Sequence, residues 1–460
     1  MKRFLTLLIT LTAFQIFAQA PQIDESLKVN LVEFEVKPQT LGGKFLANLS
    51  ASDFTIKENG VKQDIDSIEE IRLESLSPEE AAEYRSRIML LLDIKNTSYQ
   101  VVNNLFGELR NWVQTKYDGK SDIGISVYTN GIIEVVSFTR DLDELFDGID
   151  KIQAFYKKNK WRSYAKKGTD NDGLSDRFIV NHNRHAFDIF GQFVRYIGAY
   201  SGKKNLVILS ENWRAEQYGF ESEKDIESRI TVRDVQTVCM YQKVAINAIS
   251  LAKASTIANF AQSGRTGNYF LEPSADLAGA TSGIYTRVNF RELAKTLERT
   301  VNRANHYYRI RYYSQYDGEN FRKINVSVKG IGRLANTLQG YYPKSREIMP
   351  DATKARISYN RDFEFDLAMK TQWLHWERDG WGKTRANYAL SQKVYDANGE
   401  LIHENVFFNE INRKKNEPQL ELRERFNLNL PAGLEAHRID TQITDLTTGR
   451  KVNLSQEIKS

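Results

Sequence analysis

The stretch RIMLLLDIKNTSYQ, Arg87 to Gln100, decides how the rest of the chain is read. Five apolar residues, Ile88 to Leu92, stop abruptly at Asp93, and a lysine follows two positions later. A short unbroken apolar run closed by polar residues marks a strand buried on both faces, as in a parallel sheet. From Tyr99 to Tyr117 the spacing changes, and Val102, Leu105, Leu109 and Trp112 recur at helical intervals. Working outward, DIGISVYT and GIIEVVSF read as strands joined at Asn130-Gly131, and DLDELFDGIDKIQAFY reads as a helix. Ala186 to Tyr200 follows as a helix, KKNLVILS and VAINAISL as buried strands, and Leu293 to Ala304 as the last helix. Strands alternating with amphipathic helices predict a doubly wound α/β unit, mostly parallel, with one antiparallel edge strand.

Both flanks have the period of strands. VNLVEFEV alternates, and Asn59-Gly60 lies as a hairpin turn inside DFTIKENGVKQDIDSI. Past Tyr307, YYRIRYYSQYDGENFRKINVSVKG repeats the pattern around Asp317-Gly318. Neither flank holds enough strands for a stable sheet alone. The expected organisation is an N-terminal β unit and linker over 21–84, the α/β unit over 85–305, and a β segment over 306–349 that pairs with 27–75. A separate C-terminal β-sandwich is expected over 350–460, with hairpin turns at Asp379-Gly380 and Asn398-Gly399.

The 460 residues carry a net charge of +5. Lys2 and Arg3, an apolar run from Phe4 to Phe17 and Ala18-Gln19-Ala20 have the form of a cleaved signal peptide over 1–20. Cleavage removes two positive charges, leaving +3, so no nucleic-acid partner is expected. The single cysteine, Cys239, excludes an internal disulfide. No later segment has membrane-spanning length, so the expected location is periplasmic or extracellular.

The order of SDFTIKENGVKQDI, the strand ending at Asp93, GKKNLVILSEN, DLAGATSGIYTRVN, YYRIRYYSQYDGENFRKINVSVKG and GYYP resembles that of bacterial exported proteins with a von Willebrand factor A-related domain, of the acidobacterial type. The resemblance covers Val29 to Tyr342. It implies an α/β domain for binding rather than a known reaction. It also implies a divalent-metal site, Mg²⁺ or Ca²⁺, on a D-x-S-x-S loop completed by a threonine and an aspartate from two further loops.

Here Asp93 matches the first ligand and Thr97 the last hydroxyl of that loop. Thr169 stands near the second-loop threonine, and Glu211 replaces the aspartate. Lys95 takes the place of the first hydroxyl. Unit charges 4 Å apart at a surface-like dielectric interact by ~4 kcal/mol, so an ammonium facing a divalent ion feels on the order of 8 kcal/mol of repulsion. The expectation is a metal-free site in which Lys95 folds back toward Asp93 or Glu211. A plain alternative has Asp93 capping the next helix.

Other motifs are weaker. GTDNDGLSD offers Asp170, Asp172 and Asp176 to a calcium loop, but Gly168 stands where the first aspartate belongs. YKKNKWRSYAKK places Lys157, Lys158, Lys160, Arg162, Lys166 and Lys167 among aromatic rings, suited to an anionic partner. WLHWERDGWGK groups three tryptophans, Trp373, Trp376 and Trp381, which either stack on sugars or fill a sandwich core. His182 and His185 have i, i+3 spacing but no third ligand. No nucleophile motif is present, so no catalytic residue is assigned. The function expected is non-enzymatic binding of an envelope or extracellular protein. The alternative is an exported hydrolase or carbohydrate-binding protein working through the tryptophan-rich C-terminal region.

Overall fold

The computed structural model describes residues 30–77, 80, 84, 86–95, 97–129, 131–158, 186–211, 232–251, 273–288, 290–316, 320–341, 355–359, 364–378, 384–413, 421–428, 430 and 435–458. The signal-like segment 1–20 lies outside them.

The chain first lays down β1 (Leu31–Thr40), β2 (Phe54–Glu58), β3 (Val61–Gln63) and β4 (Ile65–Arg72). Asn59 and Gly60 both take positive φ, +50° and +88°, which is what a two-residue turn between right-twisted strands demands.

The α/β unit follows: β5 (Ser86–Asp93), α1 (Tyr99–Thr115), β6 (Asp122–Tyr128), β7 (Ile132–Thr139), α2 (Leu142–Lys158), α3 (Ala186–Gly198), β8 (Lys203–Ser210), α4 (Val232–Gln242), β9 (Val244–Ser250), α5 (Pro273–Ala280), β10 (Tyr285–Arg287) and α6 (Leu293–Ala304). Its six strands lie in the order β10-β9-β8-β5-β6-β7. All neighbours are parallel except β6 and β7. Every residue of β5 is buried, as a central strand requires. Its side chains alternate: Ile88, Leu90 and Leu92 pack with α1, α2 and α6, while Met89 and Leu91 pack with α3, α4 and α5. Helices therefore cover both faces.

After α6 come β11 (His306–Tyr313), β12 (Arg322–Val328), β13 (Arg333–Thr337) and β14 (Gly340–Tyr341). They join the first four strands in two sheets, β13-β1-β11-β4 and β14-β12-β2-β3, around a core that includes Val36, Ile56, Tyr308 and Ile310. The chain leaves for the α/β unit from β4 and returns on β11, its antiparallel neighbour. Glu70 of β4 sits at this junction and accepts hydrogen bonds from Tyr308 (2.7 Å), the Asn48 N–H (2.7 Å) and Arg72 (2.6 Å), with His306 Nε2 at 2.9 Å. Burial alone would raise its carboxyl. The hydrogen bonds outweigh that and hold it at about 2, against 4.5 unperturbed. A carboxylate depressed in the folded state contributes stability that is complete above pH 4.5 and is lost as pH falls toward 2. Glu70→Gln should therefore flatten the fall of the unfolding midpoint across that window, measured by denaturant titration. An unchanged acid slope would contradict the assignment.

The last strands are β15 (Arg356–Tyr359), β16 (Glu364–Lys370), β17 (Glu377–Arg378), β18 (Thr384–Tyr395), β19 (Leu401–Arg413), β20 (Glu421–Asn427), β21 (Arg438–Asp445) and β22 (Lys451–Glu457). Two antiparallel sheets, β15-β16-β20 and β17-β18-β21-β22 with β19 beside β18, enclose Phe365, Leu390, Ile443 and Trp373, with Trp376 and Phe426 packed against that core. Trp376 Nε1 donates to Thr371 O at 3.0 Å. Trp373 is thus a core residue, not an exposed sugar platform, and Trp381 lies outside the described residues.

One expectation is corrected. These sheets do not stand apart, because Ala389, Val406 and Leu446 belong to the same core as α3 and α4. The reason lies in α3, whose Ile189, Phe190, Phe193, Val194, Tyr196 and Ile197 are all buried. A helix apolar nearly all round must be covered on two sides. Polar bonds complete the seam: Asn387 Nδ2 donates to Gln192 Oε1 (3.0 Å) and Arg195 Nη1 to Leu446 O (2.8 Å).

Candidate functional site

In an open α/β sheet the crevice for ligands lies past the carboxyl ends of the strands, where the order reverses. That point falls between β5 and β8, whose connections run to opposite sides of the sheet. Asp93 ends β5 and Ser210 ends β8. Three hydrogen bonds join the two loops that follow. Ser210 Oγ donates to Asp93 Oδ2 at 2.6 Å, the Glu211 N–H to Thr97 Oγ1 at 3.2 Å, and the Ser98 N–H to Glu211 Oε2 at 2.8 Å. Asp93 and Thr97 are both buried.

Asp93 is not the N-cap residue of α1. The N-cap is Ser98, and the carboxylate that meets the helix start is that of Glu211. An acid there also complements the positive end of the helix dipole. Lys95 places its ammonium 5.6 Å from the centre of the Tyr128 ring. Burial lowers the Lys95 pKa, and the charge of Asp93 opposes that shift. Burial, with Asp93 adding to it, raises the Tyr128 hydroxyl. The cluster is thus a carboxylate, an ammonium over an aromatic face, and two hydroxyls already engaged, Ser210 with Asp93 and Thr97 with the Glu211 N–H.

A divalent ion does not suit the described donors, because it would sit beside the Lys95 cation.

The structure brings together Asp93, Lys95, Thr97 and Glu211. It adds Ser210, which was missed because a serine ending an apolar strand looks like ordinary punctuation. Its place directly before Glu211 was the available signal. Thr169, Asp170, Asp172, Asp176, Lys160, Arg162, Lys166, Lys167, His182 and His185 lie outside the described residues. Lys157 and Lys158 are exposed at the end of α2. Tyr99, at the start of α1, is 54% exposed and stacks on Tyr156, ring centres 5.8 Å apart. That contact puts the two lysines on the same rim as Asp93. Cys239 is packed in the core, and burial raises its thiol pKa.

No family model matches the chain, and no curated protein matches it. Solved structures do. An aerotolerance-related membrane protein from Bacteroides fragilis is 11% identical, with 47% of this chain and 98% of that one covered, at a TM-score of 0.29. BatB from Bacteroides thetaiotaomicron is 12% identical, with 48% and 98% covered, at 0.30. Proximal thread matrix protein 1 from the mussel byssus, with a zinc-occupied MIDAS motif, is 9% identical, with 51% and 48% covered, at 0.28. Likenesses of this size carry no weight on function. The strand order and the strand-end cluster stand on this chain alone.

Proposed function

We propose that this chain is an exported binding protein, periplasmic or extracellular, whose doubly wound von Willebrand factor A-type unit offers the strand-end rim to another protein. The reading rests on one observation above the rest. The two loops at the switch point are stitched to each other, Lys95 stands between them with its ammonium over the Tyr128 ring, and beside them lies a rim of Tyr99, Lys157 and Lys158. Such a rim is preformed, so docking carries little ordering cost. Its cations suit an acidic face on the partner. No metal, cofactor or catalysis is part of this reading. The sugar-binding alternative is disfavoured by the burial of Trp373.

Immobilised protein should retain an acidic partner from an envelope fraction. Once that partner is purified, Tyr99→Ser combined with Lys157→Glu and Lys158→Glu should weaken its binding by about 100-fold or more, as expected for an aromatic anchor and two reversed charges. Equal affinity of wild type and variant would reject the rim as the docking face.

A further inference from the structure

One end of the flanking sheets, next to the end of α6, carries three exposed aliphatic side chains. Two turns meet there, 41–43 after β1 and 330–332 before β13. The Leu41 N–H donates to Gly332 O at 3.0 Å, and the Gly43 N–H to Thr40 O at 2.9 Å. Leu41 is 74% exposed, Leu334 46%, and Ile331 106%, more than in an extended peptide. Gly330 and Gly332, both at positive φ, flank Ile331, and Gly43 adopts the same region. Arg303 of α6 donates to Gly43 O and braces the first turn against the α/β unit.

Lys44, Lys329 and Arg333 lie within three residues of these side chains in the chain and are exposed. Asp53 lies in the field of Lys329 and Arg333 and offsets part of their charge. A stable protein interface needs about 800 Å² from each partner, which so small a convex tip does not supply. A lipid surface makes no such demand. It accepts a few aliphatic side chains at the acyl boundary and holds cations at its phosphates.

We propose that Leu41, Ile331 and Leu334, together with the neighbouring Lys44, Lys329 and Arg333, form a tip that docks this protein on an anionic phospholipid surface. The braced turns present the side chains already extended, so insertion orders nothing further. Binding is weak and reversible, because three aliphatic groups and three cations fall short of a permanent anchor.

The test is co-sedimentation of the full chain with vesicles of phosphatidylglycerol and phosphatidylcholine in equal parts, and with vesicles of phosphatidylcholine alone. Wild type should partition at least tenfold better onto the mixed vesicles, and high salt should remove most of that difference. Leu41→Ser with Ile331→Ser should lose about tenfold or more. Lys329→Glu with Arg333→Glu should lose a similar factor, with unfolding midpoints unchanged in both variants. Equal binding to both vesicle types, no binding, or indifference to Leu41→Ser with Ile331→Ser would overturn the proposal. So would self-association without vesicles that the serine pair abolishes.

Discussion

Glu404→Ala is expected to cost about 3–5 kcal/mol of stability, the range for removing one member of a buried ion pair. Glu404 Oε2 lies 2.7 Å from Arg87 Nη2, with the two side chains 1% and 4% exposed. The same carboxylate accepts from the Ser201 N–H and the Ser201 hydroxyl, each at 2.8 Å. The Arg87 guanidinium also lies over the rings of Tyr200 and Phe138, 5.3 and 5.9 Å from their centres. Alanine would leave that guanidinium buried without its main counter-charge and two Ser201 donors without an acceptor. Glu404→Gln should cost less, because the amide oxygen still accepts from Ser201. Because Glu404 lies on β19 and Arg87 on β5, the pair fixes the C-terminal sheets to the α/β unit. Limited proteolysis of Glu404→Ala should therefore release the C-terminal region earlier than in wild type. A loss under 1 kcal/mol, on the order of a surface pair, would show that the seam holds without this pair.

That pair also shows where sequence reading stops. The central strand was legible because five unbroken apolar residues ending in a carboxylate fit a buried parallel strand and little else. Helices α1 and α6 were legible because their apolar positions recur at 3.6 residues. The Asn59-Gly60 hairpin was legible because few residue pairs tolerate two positive φ angles. Glu404 was not. In LIHENVFFNEINR the apolar residues do not alternate cleanly, and a glutamate between His403 and Asn405 reads as solvated by default. Only docking buries it. The signal was present elsewhere, in AFDIFGQFVRYIG, whose apolar residues run round the helix instead of along one stripe. At the candidate site, Asp93 was legible from its place at a strand end, Thr97 and Glu211 only through the metal loop that the resemblance implies, and Lys95 from its conflict with a metal. Ser210 and the turn of Glu211 toward Ser98 depend on how two loops distant in sequence approach each other, and no local pattern encodes that.

On the function proposed above, Lys95 fills the place a divalent ion would take. Asp93 already carries one cation in its field, and substitution to serine would remove that charge and restore a hydroxyl beside Asp93, Thr97 and Ser210. Even after heavy screening of a repulsion on the order of 8 kcal/mol, relief of it should improve affinity well over tenfold. Calorimetric titration of Mg²⁺ into wild type and Lys95→Ser measures this directly. The expected result is weak or no binding by wild type and clear binding by Lys95→Ser. Tight binding by wild type, unchanged in Lys95→Ser, would contradict the claim.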